Sequence, residues 1–272
     1  MSELEGKVAI ITGAGRMRSI GRSTALAMAR KGANVAITGT GRDPSAFPPD
    51  EKAAGWRDIQ SVKEEVEALG RRCLALTVDV TKAQQVQDMV DRTLAEFGRI
   101  DFLVNNAAFA RGADRVPVVD LSEDVWHRVL EIKLTGVFLC SQAVARVLLR
   151  QGQGGSIISI SSGAGKRGPA NAAAYAAANG GVQLFTMSLA RELGPHGITV
   201  NCVCPGIIAT ARNDVKGSTD SEEWKRFVAT IPMQRHGRPD ECADLIAWLC
   251  TPAASYITGQ AININGGIVM EH

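Results

Sequence analysis

With 272 residues the chain has the length of one α/β domain, enough to bury a full sheet between two helical layers. Its composition, 45% hydrophobic and 21% charged, is ordinary for a soluble globular protein. A formal net charge of +2, without a basic stripe, offers no argument for nucleic acid or an anionic membrane surface as a partner.

The N-terminal stretch Met1–Lys7 has no apolar signal region, and no uninterrupted apolar run approaches membrane-spanning length, so a cytoplasmic protein is expected. Val8–Thr12 reads as a short buried strand. It runs at once into Gly13-Ala-Gly15-Arg16-Met-Arg-Ser19-Ile20-Gly21, and a helical pattern follows over Ser23–Lys31. Strand, glycine turn and helix form a dinucleotide-binding context, in which backbone amides at the helix start face a pyrophosphate.

Asn34–Thr38 is the second predicted strand, and it ends in Gly39-Thr40-Gly41-Arg42 with no acid where an adenosine 2′-hydroxyl would be read. Arg42 and Arg16 suit a 2′-phosphate, which favours NADP(H), while Asp43 keeps NAD(H) open. Residues 42–58, with three prolines, read as a surface insertion beside the adenosine end. Cys73–Val80 is the third strand. Asp79 at its end reads as a cap, and Thr81 and Gln84 have capping-box spacing before a helix to Phe97.

Phe102–Ala108 is a strand running into a polar turn. A long helix over 122–150 follows, with Ser122 as its cap and Val125, Val129, Ile132 and Val137 on its apolar face. The stretch Ser156–Gly181 begins as a buried strand and breaks at Gly163, Gly165, Gly168 and Pro169, which places Ser162 at the strand's end. An alanine-rich helix then carries Tyr175 and Asn179 one turn apart on one face. Val200–Cys204 and Ile257–Gly267 hold the last strands, and residues from Thr210 to about 233 are polar enough for a mobile lid over a substrate.

Six cysteines without a C-x-x-C pair and four scattered histidines predict buried free thiols and no metal site. Cys202 and Cys204 are expected on opposite faces of their strand. Strands alternating with helices imply a parallel, doubly wound sheet in a three-layer αβα domain spanning residues 1–272.

Seven of these motifs, in this order, resemble the short-chain dehydrogenase/reductases, a family with a Rossmann-like fold. The resemblance covers the whole chain and implies an oxidoreductase using NADP or NAD on a small alcohol or carbonyl substrate, usually as a homodimer or homotetramer. The glycine turn is similar to T-G-x-x-x-G-x-G with a longer loop, Ser19 standing in the middle glycine's place, and its Ser19-Ile20 pair resembles the enoyl reductase branch. The resemblance implies that Gly13, Arg16, Ser19, Ile20, Gly21, Thr40 and Arg42 line the adenosine and phosphates. It implies that Asp79 and Val80 meet the adenine, that Asn105 bonds neighbouring strands, and that Ala107 leaves room for the cofactor's ribose. Pro205, Ile208 and Thr210 match the segment that holds the nicotinamide carboxamide.

The same resemblance makes Tyr175 the proton donor or acceptor and Ser162 the partner of the substrate oxygen. Two positions depart from it: Asn179 stands where the family has lysine, and Lys133 where it has asparagine. The two residues are read as exchanged, so that an ammonium group enters the site from the other helix while Asn179 meets a ribose hydroxyl or water. The alternatives are an engineered substitution at 179, a Lys133 that snorkels to water, and an inactive relative. A non-redox enzyme (lyase, demethylase or dehalogenase-like) and a non-catalytic nucleotide sensor are the competing functions.

Overall fold

The computed structural model describes residues 3–216 and 221–271. Among them, seven parallel strands form one sheet: β1 Val8–Ile11, β2 Asn34–Gly39, β3 Cys73–Thr77, β4 Phe102–Asn105, β5 Gly155–Ile160, β6 Ile198–Pro205 and β7 Ala261–Ile264. Their order is β3-β2-β1-β4-β5-β6-β7, so the winding reverses between β1 and β4. Both strands there register in parallel, Ile10 opposite Leu103. Ligands of open parallel sheets bind at such a reversal, beyond the carboxyl ends of the strands.

The helices are α1 Ile20–Arg30, α2 Pro49–Ala53, α3 Ile59–Ala68, α4 Ala83–Phe97, α5 Glu123–Leu130, α6 Gly136–Gln151, α7 Ala164–Arg167, α8 Ala173–Leu193, α9 Glu222–Ala229 and α10 Pro239–Leu249. The period-two alternation of the strands divides their apolar residues between two cores. Ala9, Ile11, Ile158 and Ile160 face the layer of α1, α3 and α10. Ile10, Leu103 and Ile157 face the layer of α4, α6 and α8.

Several expectations change in three dimensions. Cys202 and Cys204 share one face and pack with Val137 and Val182, because residues two apart on a strand point the same way. All six cysteines are buried and free. The predicted capping box before α4 does not form: Lys82 is the cap residue, and Gln84 bonds Asp88 within the helix. Thr81 instead donates to Asp79 through both its amide (3.0 Å) and its hydroxyl (2.8 Å). The insertion over 42–58 is not merely superficial. It holds α2, buries Glu51 and Asp58, and sends the Trp56 indole to the Gly15 carbonyl at 2.7 Å.

The long helix forms as predicted but is not uniform. Between α5 and α6, Glu131–Thr135 winds as a π-helix centred on Lys133. Glu123–Gln151 is long and apolar enough to cross a membrane by length and composition, yet 56% of its apolar window is buried inside the fold. Within the proposed lid span, residues 217–220 lie outside the described residues, as do Met1, Ser2 and His272.

Helix α7 sits hard against α8. A Cβ at Gly165 would stand 2.6 Å from the Gly180 amide nitrogen and 2.7 Å from the Asn179 carbonyl carbon. Gly165→Ala is therefore expected to cost about 1–3 kcal/mol in urea unfolding through overpacking of backbone against backbone.

Candidate active site

The glycine turn lies at the winding reversal. Gly13 takes φ +69° and approaches β4's loop so closely that a Cβ would stand 2.8 Å from the Ala107 Cα. The Thr12 hydroxyl accepts from the amides of Asn106 (3.0 Å) and Ala107 (3.1 Å), locking the two loops together. Asn105 donates to Ser141 of α6 (3.0 Å) and to Ser159 of the neighbouring strand β5 (3.3 Å), the strand-bonding role that the resemblance implies. Ser19 caps α1, its side chain accepting from the Arg22 amide, and Ile20 and Gly21 open the helix. These positions bring free backbone amides to the helix start, where an anion is favoured.

At the end of β2, Thr40 is exposed, and Arg42 is held by Glu51 (2.8 Å) and Asp58 (3.0 Å). Asp58 occupies a strained left-handed backbone position at φ 53° and turns away from its own helix. Its carboxylate lies against Gly39, and a Cβ at Gly15 would fall 1.7 Å from its Oδ1. Its Oδ2 is buried without a hydrogen-bond partner. The acid missing from the end of β2 in the sequence is thus delivered by the insertion, from 19 residues downstream of Gly39. Among the described residues Arg16 pairs with no carboxylate, although burial and the neighbouring Arg42 hold its pKa below the usual value. Asp43 caps Ser45 at the surface and faces away from this cluster.

Tyr175 stands in the first turn of α8, and the Ser162 hydroxyl accepts from the Ala164 amide at 3.1 Å. Gln183 fixes the Ser162 loop, donating to the Ser161 hydroxyl and the Ser162 carbonyl, each at 3.0 Å. Asn179 is fully buried. Its amide nitrogen donates to the Tyr175 carbonyl at 2.8 Å, and its Oδ1 has no partner. Lys133 is 4% exposed, and its ammonium donates to the carbonyl of Ile160 at the end of β5. The π-turn aims this side chain inward, as single π-turns within helices often do at functional sites.

Burial pushes the Lys133 amine down to about 8 against the opposing pull of Tyr175. Burial raises the Tyr175 phenol, but the Arg212 guanidinium, the Ser162 hydroxyl, Lys133 and Arg115 together bring it below its ordinary value. Lys133 does not snorkel to water.

Arg212 was not legible as a site residue. Its Nη1 lies 3.5 Å from the Tyr175 hydroxyl, and its Nε donates to the Phe109 carbonyl at 3.2 Å. Its position two residues after Thr210, at the start of the polar segment, was the available signal. Thr210 and Ile208 are buried there, and the Ile208 carbonyl accepts from Asn213 at 2.8 Å. The Pro205 carbonyl accepts from Gly163 at 3.3 Å, tying this segment to the serine loop. At the other end of the site, Val80 packs against the start of α6 and Asp79 is occupied by Thr81. Trp224 is fully buried, edge-on to the His236 ring at 5.6 Å.

The orphaned acceptors on Asp58 and Asn179 and the open glycine turn fit a dinucleotide, whose ribose hydroxyls donate and whose phosphates accept. No group of metal-ligating side chains occurs among the described residues.

A family model described as Enoyl-(Acyl carrier protein) reductase matches residues 13–269. A 3-oxoacyl-[acyl-carrier-protein] reductase from Synechocystis sp. is 41% identical, over 99% of this chain and 100% of that protein. Among solved structures, an acetoin dehydrogenase from Enterobacter cloacae is 37% identical with a TM-score of 0.79, covering 97% of this chain and 95% of that one. A doubly substituted short-chain dehydrogenase/reductase from Serratia marcescens is 32% identical with a TM-score of 0.84, covering 98% and 99%. With the motifs in register from the glycine turn to the last strand, this chain belongs to the short-chain dehydrogenase/reductase family and is an NAD(P)-dependent oxidoreductase.

Proposed function

We propose that the protein transfers hydride between the nicotinamide cofactor and an alcohol or carbonyl carbon, with Tyr175 as the acid or base. The observation that carries this reading is the Tyr175 phenol, with Arg212 Nη1 3.5 Å from its hydroxyl and the Arg115 guanidinium 4.0 Å from its ring centroid. The cofactor supplies the hydride when bound. Tyr175 gives its proton to a carbonyl oxygen in reduction and takes one from an alcohol in oxidation, while Ser162 orients that oxygen.

The exchange of Lys133 and Asn179 keeps a cation beside the phenol. The ammonium, seated on the Ile160 carbonyl, favours tyrosinate from the α5–α6 side, and Asn179 Oδ1 is left to accept from a ribose hydroxyl or water. Residues from Thr210 to about 233 close over the substrate, and the functional unit is a homodimer or homotetramer, as in the family. In the four-charge cluster at the end of β2, a 2′-phosphate draws on Arg16, and a 2′-hydroxyl on Asp58. NADP(H) remains the proposed partner, with Arg16 rather than the already paired Arg42 as its main phosphate contact.

Net hydride transfer changes absorbance at 340 nm during turnover, and a flat trace with every alcohol and carbonyl tried overturns the oxidoreductase reading. Lys133→Met is expected to move the rising limb of the kcat/KM profile for alcohol oxidation to higher pH, because losing the ammonium raises the Tyr175 pKa. An unmoved limb ends the exchange hypothesis.

The same variant tests what burying the amine costs. The folded value of about 8 lies below the ordinary 10.5, so the charged form is disfavoured in the folded chain. At neutral pH Lys133→Met should therefore be more stable by up to about 3 kcal/mol, at about 1.4 kcal/mol per pH unit. The difference should fade as pH rises from 8 to 10.5, which urea unfolding across that range will show. At the adenosine end, Asp58→Asn is expected to strengthen binding of the 2′-phosphorylated cofactor relative to the unphosphorylated one, and Arg16→Ala to do the reverse, both read by calorimetry.

A further inference from the structure

Three arginines gather around Tyr175. The Arg115 guanidinium lies over its ring, 4.0 Å from the centroid, and that of Arg212 lies 4.9 Å away. Arg111 is held beside them by Asn213 at 2.9 Å. Among the described residues, no carboxylate pairs with Arg111 or Arg212. Asp114 stands 3.4 Å from Arg115 Nε, in a geometry that leaves both atoms without a hydrogen bond. Arg212 Nη2 is likewise buried without a partner.

Like charges crowded in a partly desolvated site repel strongly, and buried N–H groups without acceptors cost further free energy. Burial, then the mutual proximity of Arg115 and Arg212, hold Arg111 below its ordinary pKa. One bound anion relieves both penalties. A guanidinium fork matches a carboxylate in particular, through two parallel hydrogen bonds.

We propose that the substrate carries a carboxylate one or two bonds from its reacting carbon, and that Arg212 and Arg115 hold it while Tyr175 meets the neighbouring oxygen. This rests on the oxidoreductase reading and adds the substrate class to it. The Tyr175 hydroxyl and Arg212 Nη1 are 3.5 Å apart. Substrate oxygens accepting from two such donors lie about 3–5 Å from each other, the spacing in 2-oxo and 3-oxo acids. In the reducing direction the carbonyl π bond opens: carbon takes the hydride of the reduced nicotinamide, and oxygen takes the phenolic proton. The tyrosinate recovers its proton from solvent, and a hydroxy acid and oxidised cofactor remain. The other nearby anion is the cofactor's pyrophosphate, since the Ala211 amide donates to the Arg18 carbonyl of the glycine turn at 3.0 Å.

The test compares 2-oxobutanoate and acetoacetate with their methyl esters. With reduced cofactor, kcat/KM for at least one acid is expected to exceed that for its ester by about 10–100-fold, the worth of a charge-assisted bond. Arg212→Met should abolish that ratio, mainly through the KM of the acid, and Arg212→Lys should recover part of it; thermal melts check that each variant folds. Calorimetry on the complex with oxidised cofactor, where no turnover occurs, should show the acid binding and the ester not. Esters turned over as well as the acids overturn the carboxylate site and leave the oxidoreductase reading standing. Acids that bind the oxidised complex but are never reduced support the site and sink that reading. An Arg212→Met variant that weakens cofactor binding while leaving the acid-to-ester ratio unchanged assigns the guanidinium to the pyrophosphate and overturns the proposal.

Discussion

The site depends on one electrostatic balance: a tyrosine hydroxyl drawn into the protein, where burial alone would keep it protonated, against cations arranged to pull the other way. The Arg212 guanidinium, the Ser162 hydroxyl, Lys133 and Arg115 together outweigh the desolvation. These groups come from different elements. Helix α8 carries the tyrosine, the loop after β5 the serine, the π-turn the lysine, and the segments after β4 and β6 the arginines.

Close packing is what lets those elements meet. Gly165 allows α7 to touch the backbone of α8, while Leu134 of the π-turn fills the space beside Gly181. The π-turn itself gives up regular helical hydrogen bonding to direct Lys133 inward, toward a backbone carbonyl that satisfies its ammonium. A lysine held buried at such cost is a poor choice for stability, since burial disfavours its charged form.

At the opposite end of the cofactor cleft the same logic operates with the signs mixed. The insertion after β2 brings Glu51 and Asp58 under the glycine turn, where Glu51 accepts from the Met17 amide at 2.9 Å and both acids grip Arg42. The longer turn between Gly13 and Gly21 is thereby braced from below by residues that a minimal strand-to-helix connection would not contain. Its departure from the family's shorter spacing and the insertion are two halves of one arrangement.

The sequence by itself determined the alternation of strands with helices, the parallel sheet, the glycine turn after the first strand, and the placement of Ser162 at a strand end and Tyr175 on a helix. Those follow from periodicity and short spacings, which report local geometry. It also showed that Lys133 and Asn179 depart together, but not where the amine points, because that turns on a π-helical register that no residue pattern announces. The positions of Asp58 and Arg212 were decided only by tertiary structure: Asp58 lies against Gly15 and pairs with Arg42, and Arg212 meets Phe109 and Tyr175, across connections whose paths are fixed by packing. A strained backbone at Asp58 and a guanidinium lodged between Phe109 and Tyr175 are consequences of the assembled fold, where buried charge must find partners that lie far off along the chain.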